Sequence, residues 1–280
     1  MATPHSRFGL IGHPIARSLS PGLFRAAYDG RYPYELIQGE DFEASYRRFL
    51  EEFDGINVTA PFKELAYAKA DIVSDECRLA QATNLLVKTP EGVKAYNSDF
   101  LGVRMWLEER FLDFARNDNG NTRNDKPAAL IVGCGGAGRA AAAAAVSLGM
   151  KTVLMNRNIE RAENLAKDLK TMGYEADIRP VEEFCRCFRE ADIMIYNIPS
   201  AIEQIDGLTD TDFAAGRPKF ILEANYKNPS FDEAFVRRMK EANPLAGYTG
   251  GRTWLLYQAV TGYEIFTAES PDLKKMSDVL

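Results

Sequence analysis

The sequence predicts an α/β chain of two domains: an N-terminal α/β domain and a second, doubly wound domain of the Rossmann type. Three observations carry this. The chain has 280 residues, long for one domain and comfortable for two. Residues 130–148 give a strand, glycine turn and helix, and alternating βα signals follow them. In Leu130-Ile131-Val132-Gly133-Cys134-Gly135-Gly136-Ala137-Gly138-Arg139-Ala140 an apolar run breaks into glycines, then enters an alanine-rich segment reaching Leu148. Gly133, Gly135 and Gly138 fit G-x-G-x-x-G. The first permits the turn, the second a close approach to a pyrophosphate, and the third close packing of helix on strand. Free N–H groups at the helix start then face the phosphates.

The flanks support a dinucleotide. Lys151-Thr152-Val153-Leu154-Met155 reads as the next strand, and Asn156-Arg157-Asn158 stands where an NAD site usually has Asp or Glu. An acidic side chain there repels a 2′-phosphate. Arg157, with Arg161 one helical turn on, can instead contact it, and Asn156 can serve the ribose without adding negative charge. NADP is therefore favoured over NAD. The competing assignment for the arginines is a solvated helix start.

Composition sets outer bounds. Hydrophobic residues make up 46% and charged residues 26%, ordinary for a globular enzyme, and the net charge of −6 argues against nucleic acid as a main partner. No apolar run approaches a membrane span, and Met1-Ala2-Thr3-Pro4-His5 does not read as a signal peptide, so a cytoplasmic protein is expected. Cys77, Cys134, Cys185 and Cys187 lack metal-type spacing, and no metal is expected.

In chain order, Phe8-Gly9-Leu10-Ile11-Gly12 is a first strand. Ser18-Leu19-Ser20-Pro21 then opens an amphipathic helix through Tyr28, with Ser20 ahead of Pro21 fitting an N-cap. The hydroxyls of Ser18 and Ser20 could also hold a carboxylate beside that helix start. Tyr34–Ile37 is a strand and Phe42–Phe53 a helix. Gly55-Ile56-Asn57-Val58-Thr59 runs into a helix started at Pro61, with Lys63 in its first turn. Cations are disfavoured at helix N-termini, so Lys63 is either solvated or kept for chemistry. Residues 82–87 and 93–96 read as a strand pair around Pro90-Glu91-Gly92. Asp99 begins a helix through Phe114, with an N-cap as its structural role.

Residues 115–126 are polar and turn-rich and read as a flexible surface loop ahead of the glycine-loop strand. Beyond that strand come a helix from Ile159 to Leu169, a strand near 176–179, Ile193–Asn197 and Phe220–Ala224. This alternation implies a parallel sheet with right-handed crossovers. Gly250-Gly251 precede an apolar helix over Trp254–Val260, and a second helix ends the chain.

These pieces, taken in order over essentially the whole chain, resemble the shikimate dehydrogenase family. The matching segments are Ser18-Leu19-Ser20-Pro21, Asn57-Val58-Thr59 with Pro61 and Lys63, Asn84, Asn97-Ser98-Asp99, the glycine loop, Asn156-Arg157, Tyr226, and Gly251 with Gln258. The resemblance implies NADP-dependent interconversion of shikimate and 3-dehydroshikimate, in aromatic amino acid (chorismate) biosynthesis. It places a substrate-binding domain at 1–103 and 252–280, and an NADP-binding Rossmann domain at 104–251. Ser18 and Ser20, with Thr59 beside them, become ligands of the substrate carboxylate, and Lys63 and Asp99 the catalytic pair. Asn84 and Gln258 become partners of the ring hydroxyls, and Tyr226 a tyrosine close to substrate and nicotinamide. Gly133, Gly135, Gly136, Ala137, Gly138, Asn156, Arg157, Arg161, Asn197 and Gly251 become the cofactor site. A small-molecule substrate is the expected partner, in a monomer or homodimer, without nucleic acid or membrane.

The chain departs from the family pattern at several points. Ser98 stands for a usual Thr, Leu85 for the Thr after the substrate asparagine, and Asn158 for the Thr of Asn-Arg-Thr. Asn197-Ile198-Pro199-Ser200 replaces an Asn-Ala/Thr-Thr segment, and Trp254 a Met against the nicotinamide. The chemistry agrees with the residues present. Oxidising a secondary alcohol sends hydride to the nicotinamide while the hydroxyl proton leaves, so a group must accept that proton or stabilise the alkoxide. With no histidine in the catalytic segments, Lys63 is the candidate. The alternatives are a quinate or aminoshikimate dehydrogenase, a catalytically silent NADP-binding sensor, and an S-adenosylmethionine site on the glycine loop. Lys63 with Asp99 speaks against the second, and Arg157 with Arg161 against the third.

Overall fold

The computed structural model describes residues 3, 5–117 and 127–280. Its chain divides into two compact units, Met1–Gly102 with Leu256–Leu280, and Val103–Leu255. The expected loop at 115–126 lies largely outside the described residues. Its first residues continue a helix that runs to Asn117, beyond the expected end at Phe114.

The first unit runs β1 (Phe8–Gly12), α1 (Ser20–Ala27), β2 (Tyr34–Gln38), α2 (Phe42–Glu52), β3 (Gly55–Val58), α3 (Lys63–Ala68), β4 (Ile72–Val73), α4 (Asp75–Ala80), β5 (Leu85–Thr89) and β6 (Gly92–Tyr96). The start of α5 (Ser98–Asn117) closes this stretch. Among the described residues these strands form a six-stranded sheet in the order β2-β1-β3-β5-β6-β4. β1 pairs in parallel with β2 and β3, whereas β5 is antiparallel to β3 and β6, so the sheet is mixed. A buried cluster of Ile11, Phe49, Phe53, Ile56, Val58 and Leu86 fills one side of it. β5 starts at Leu85 rather than at residue 82, because Thr83 turns the chain there. Its hydroxyl donates to the Tyr96 carbonyl (2.6 Å), lies 2.9 Å from the Leu85 carbonyl oxygen, and accepts from the Leu85 N–H (3.1 Å).

The second unit continues with β7 (Ala128–Val132), α6 (Gly136–Ser147), β8 (Lys151–Met155), α7 (Ile159–Thr171), β9 (Asp177–Arg179), α8 (Phe184–Glu190), β10 (Ile193–Tyr196), β11 (Lys219–Glu223), α9 (Glu233–Ala242) and β12 (Ala246–Thr249). Helix α10 (Gly251–Thr267) then starts in this unit and ends in the first, where α11 (Leu273–Val279) follows. The strand order β12-β11-β10-β7-β8-β9 is parallel throughout. It is the doubly wound order, with its switch point between β7 and β10. In α6 the alanines from Ala140 to Ala145 are all fully buried. The sheet thus reaches the glycine loop on a helix thin enough to be covered on every side.

Lys219 opens β11 and is 1% exposed. Its Nζ donates to the carbonyl of Phe188 (2.5 Å) and to that of Ala191, at the C-terminal end of α8, and lies 4.5 Å from the Phe188 ring centroid. Burial, with Arg217 adding to it and Asp192 and Asp212 opposing, lowers its pKa to about 7. The folded value lies below the unfolded one, so the unfolded chain holds more protons between about pH 7 and 10.5. Lys219 therefore adds stability as pH rises through that window. In urea unfolding, the stability of this protein minus that of Lys219→Met should grow by on the order of 3 kcal/mol from about pH 7 to about pH 9.5. A constant difference would mean that the amine keeps its proton.

Candidate active site

Lys63 and Asp99 arrive from separate helix starts in the first unit. β3 ends at Val58, the Phe62 N–H closes a turn on the Thr59 carbonyl (3.0 Å), and α3 begins at Lys63 itself. The helix expected from Pro61 is thus shorter, because Pro61 belongs to the turn, after a cis Ala60–Pro61 bond. Lys63 places its charge at the helix end where a cation is disfavoured. Asp99 supplies the compensation, forming an ion pair with Lys63 Nζ, the side chains 17% and 11% exposed. Asp99 is free to do so because it is not the N-cap. The Asn97 side chain caps α5 instead, accepting from the Phe100 N–H at 3.0 Å while its Nδ2 donates to the Ala82 carbonyl at 2.8 Å. Asn97 stands at the flanking position that faces the third helical N–H. Asp99, inside the first turn, is favoured there as an anion.

Beside this, Asn84, Ser98 and Gln258 form an amide–hydroxyl cluster. Asn84 Oδ1 accepts from the Ser98 N–H (2.7 Å), and its Nδ2 donates to Ser98 Oγ (3.0 Å) and reaches Gln258 Oε1 (3.5 Å). Ser98 Oγ lies 3.3 Å from Gln258 Oε1. Ser98 therefore orients both amides, and Asn84 keeps its partners with the fully buried Leu85 next to it. The segments that join here are 174 residues apart in the chain.

Ser18 and Ser20 are also brought together. Ser18 Oγ accepts from the Ser20 N–H (3.2 Å) and donates to Ser20 Oγ (3.1 Å), and the Tyr263 hydroxyl donates to the Ser20 carbonyl (3.1 Å). The N-cap expected of Ser20 is not made. Leu19 occupies the cap position with near-helical angles and Ser20 is already helical, and no side chain makes a cap hydrogen bond at this helix start. Thr59 follows β3, its N–H bonded to the Ile11 carbonyl of β1 at 2.9 Å. Neither serine hydrogen-bonds Lys63, Asp99 or Asn84 among the described residues.

In the second unit the glycine loop follows β7, at the switch point. Gly133 has φ +94°, a conformation side chains rarely adopt, and a Cβ on Gly138 would overlap the Gly133 carbonyl. α6 thus begins at Gly136, Ala137 and Gly138 with its first N–H groups free of any side-chain cap. Asn156 braces the loop from the end of β8: its Oδ1 accepts from the Cys134 N–H (3.0 Å) and its Nδ2 donates to the Asn158 carbonyl (2.7 Å). Asn158 caps α7 through the Glu160 N–H at 3.1 Å, the job a Thr would otherwise do. Arg157 and Arg161 are exposed and make no ion pair among the described residues.

Asn197 stands across the switch point, its N–H bonded to the Val132 carbonyl at 2.7 Å, while its buried Oδ1 has no partner. A free acceptor, free helix-start N–H groups and unpaired arginines together fit a phosphorylated dinucleotide. Tyr226, half-buried, follows β11, and burial raises its pKa. Gly251 starts α10 against the 224–225 peptide, where a Cβ would come 2.5 Å from the Ala224 carbonyl oxygen. Trp254 is buried one turn further on. Cys134 is an inert thiol, its pKa pushed up to about 12 by burial. Sequence reasoning missed Asn97 as the cap, Ser98 as the hub of the amide cluster, and the ion pair of Arg139 with Asp168 (2.5 Å), which ties α6 to α7. Three adjacent cap-competent residues hid the first two.

Fold and site define a two-unit α/β protein whose second unit is a Rossmann-type sheet with a dinucleotide-binding loop. Residues 10–86 match the family described as "Shikimate dehydrogenase substrate binding domain", and residues 115–207 that described as "Shikimate / quinate 5-dehydrogenase". A protein of Acinetobacter baumannii named shikimate dehydrogenase (NADP(+)) is 32% identical over 275 residues, 96% of this chain and 98% of its own length. The chain belongs to the shikimate dehydrogenase family. Among solved structures, Mycobacterium tuberculosis shikimate dehydrogenase matches with a TM-score of 0.78 at 25% identity, over 98% of each chain. Shikimate 5-dehydrogenase of Thermus thermophilus, in complex with NADP(H) and shikimate, matches with 0.74 at 25%, also over 98% of each. Among the described residues no helix is long and apolar enough to cross a membrane, and no cluster of metal ligands is present.

Proposed function

We propose that this chain is an NADP-dependent shikimate dehydrogenase, interconverting shikimate and 3-dehydroshikimate in the aromatic (chorismate) pathway of the cytoplasm. Beyond family membership, the observation that carries this is the Lys63–Asp99 pair, a lysine held against the preference of its helix by a carboxylate from another. Residues 1–103 and 252–280 take the substrate and residues 104–251 the cofactor. Ser18, Ser20 and Thr59 bind the carboxylate of the ring acid through hydroxyls at the start of α1. Asn84 and Gln258, oriented by Ser98, hold ring hydroxyls. The nicotinamide, when bound, takes up the hydride. The Lys63–Asp99 pair, acting as one unit, receives the proton of the hydroxyl being oxidised, and Tyr226 closes on the reacting ring. The loop from Gly133 to Gly138, with Asn156, Asn197 and Gly251, seats the dinucleotide, and Arg157 and Arg161 bind its 2′-phosphate. Steady-state oxidation of shikimate and of quinate, each with NADP and with NAD, tests this directly. Shikimate with NADP should give the highest kcat/KM; a preference for quinate, or turnover of neither acid, would overturn the assignment.

A further inference from the structure

β11 ends in a carboxylate shut away from water. Glu223 is fully buried, and no cation pairs with it among the described residues. Both oxygens are bound instead: Oε1 accepts from the Ser230 N–H at 2.6 Å and Oε2 from the Tyr248 hydroxyl at 2.6 Å. Two short, charge-assisted bonds are what makes such burial tolerable. Burial, with the Glu223 carboxylate beside it, raises the Tyr248 pKa, so this hydroxyl remains a donor.

The two donors belong to different segments. Ser230 closes the loop that leaves β11, with Tyr226 in its middle, while Tyr248 lies in β12, just ahead of Gly251 and α10. The near side of the loop is tied by Asn225. Its Nδ2 donates to the carbonyls of Pro199 (3.0 Å) and Asn228, and its Oδ1 accepts from the N–H groups of Lys227 (3.2 Å) and Asn228 (3.3 Å). The Tyr226 hydroxyl itself makes no hydrogen bond among the described residues. Its position is therefore imposed by its neighbours, and its hydroxyl is left for a ligand.

We propose that Glu223 is a positioning residue: by joining the Ser230 amide to the Tyr248 hydroxyl, its carboxylate sets the loop that presents Tyr226 in register with the start of α10. This rests on the assignment of Tyr226 to the reacting groups made above. Glutamine at this position offers one acceptor oxygen and turns an NH₂ toward the other donor, so one of the two ties is lost. Tyr248→Phe removes the other half of the device and leaves its ring against Phe231.

The test is a pair of double-mutant cycles in the full chain, Glu223→Gln with Tyr226→Phe and Tyr248→Phe with Tyr226→Phe, read as kcat and KM for shikimate with NADP. The second cycle answers the question if a change at the buried Glu223 prevents folding. Tyr226→Phe alone should lower kcat/KM. In either background its effect should shrink roughly fivefold or more, because the hydroxyl is no longer delivered to its place. Losses that multiply independently while Tm falls would make Glu223 a purely structural carboxylate and overturn the proposal. A Tyr226→Phe protein with unchanged kinetics would overturn it equally. Failure of the underlying assignment is seen separately, as an unmodified protein that turns over neither shikimate nor quinate, and it removes the proposal as well.

Discussion

Lys63→Ala is expected to lower kcat for shikimate oxidation by roughly 10²–10⁴, the usual scale for a lost proton-transfer group, while shikimate and NADP still bind. On the proposed role the effect should appear in kcat, because the pair would meet the hydroxyl proton only as the bond breaks. Asp99→Asn should do comparable damage for a different reason. It leaves α5 intact, since the cap is Asn97, but removes the negative charge that holds the lysine at an unfavourable helix end. Acting as a unit, the two should be non-additive, the double mutant little slower than the poorer single mutant. A lysine left alone, or a carboxylate left alone, is a partly buried charge without its partner, so each single variant should also lose stability. The double mutant Lys63→Met with Asp99→Asn removes both charges and isolates catalysis from folding. Near-normal turnover in Lys63→Ala would make Lys63 and Asp99 a purely structural ion pair, and rate losses that simply multiply would separate the pair.

Replacing both Arg157 and Arg161 by Ala should raise the KM for NADP by roughly ten- to a hundredfold and leave that for NAD nearly unchanged. Charge-assisted bonds to a phosphate are worth on the order of 1.5–3 kcal/mol. Arg157 follows β8 and Arg161 lies in the first turn of α7, both exposed and without an ion pair among the described residues, so no existing ion pair must break before they engage an anion. The neighbouring asparagines are occupied, Asn156 with the Cys134 N–H and Asn158 with the cap of α7. A 2′-phosphate bound here would thus fall to the arginines. Parallel steady-state measurements with NADP and NAD check this, and equal efficiency with the two cofactors in the unmodified protein would sink it.

What was legible beforehand was local. The glycine loop, β7 and α6 announce themselves because their constraints are written within a few residues of one another: an apolar run, a turn only glycine makes easily, and small residues behind it. The Lys63 position was suspicious for a local reason too, a cation at a helix start. β4 escaped because two residues cannot show a period. β12 escaped because Ala246-Gly247-Tyr248-Thr249 carries little apolar signal of its own, being completed by its pairing with β11. Cap assignment failed at residues 97–99, and at Ser20, because several competent side chains sit side by side and only the backbone angles choose between them. The approach of Gln258 to Asn84 across the length of the chain has no trace in spacing, and only the family resemblance pointed to it. Glu223 looks in sequence like any charge ending a strand; its burial is a property of the fold.

The alanine helix has a consequence for how this chain can drift. A helix with a wet face absorbs neutral change there, but Ala140 to Ala145 are covered on every side. Each larger side chain must displace packed atoms, at a typical 1–3 kcal/mol, and glycine loosens the helix by about 1 kcal/mol. Of the residues one base change from an alanine codon, serine alone stays near the right volume, and it brings a hydroxyl that must bond back to the preceding turn. Lineages of this protein should therefore vary on the solvated outer face of α7, Arg161 apart, and stay nearly frozen from Ala140 to Ala145, although these methyl groups carry no chemistry of their own. An element made of the least distinctive residue type is in this way among the least replaceable in the molecule.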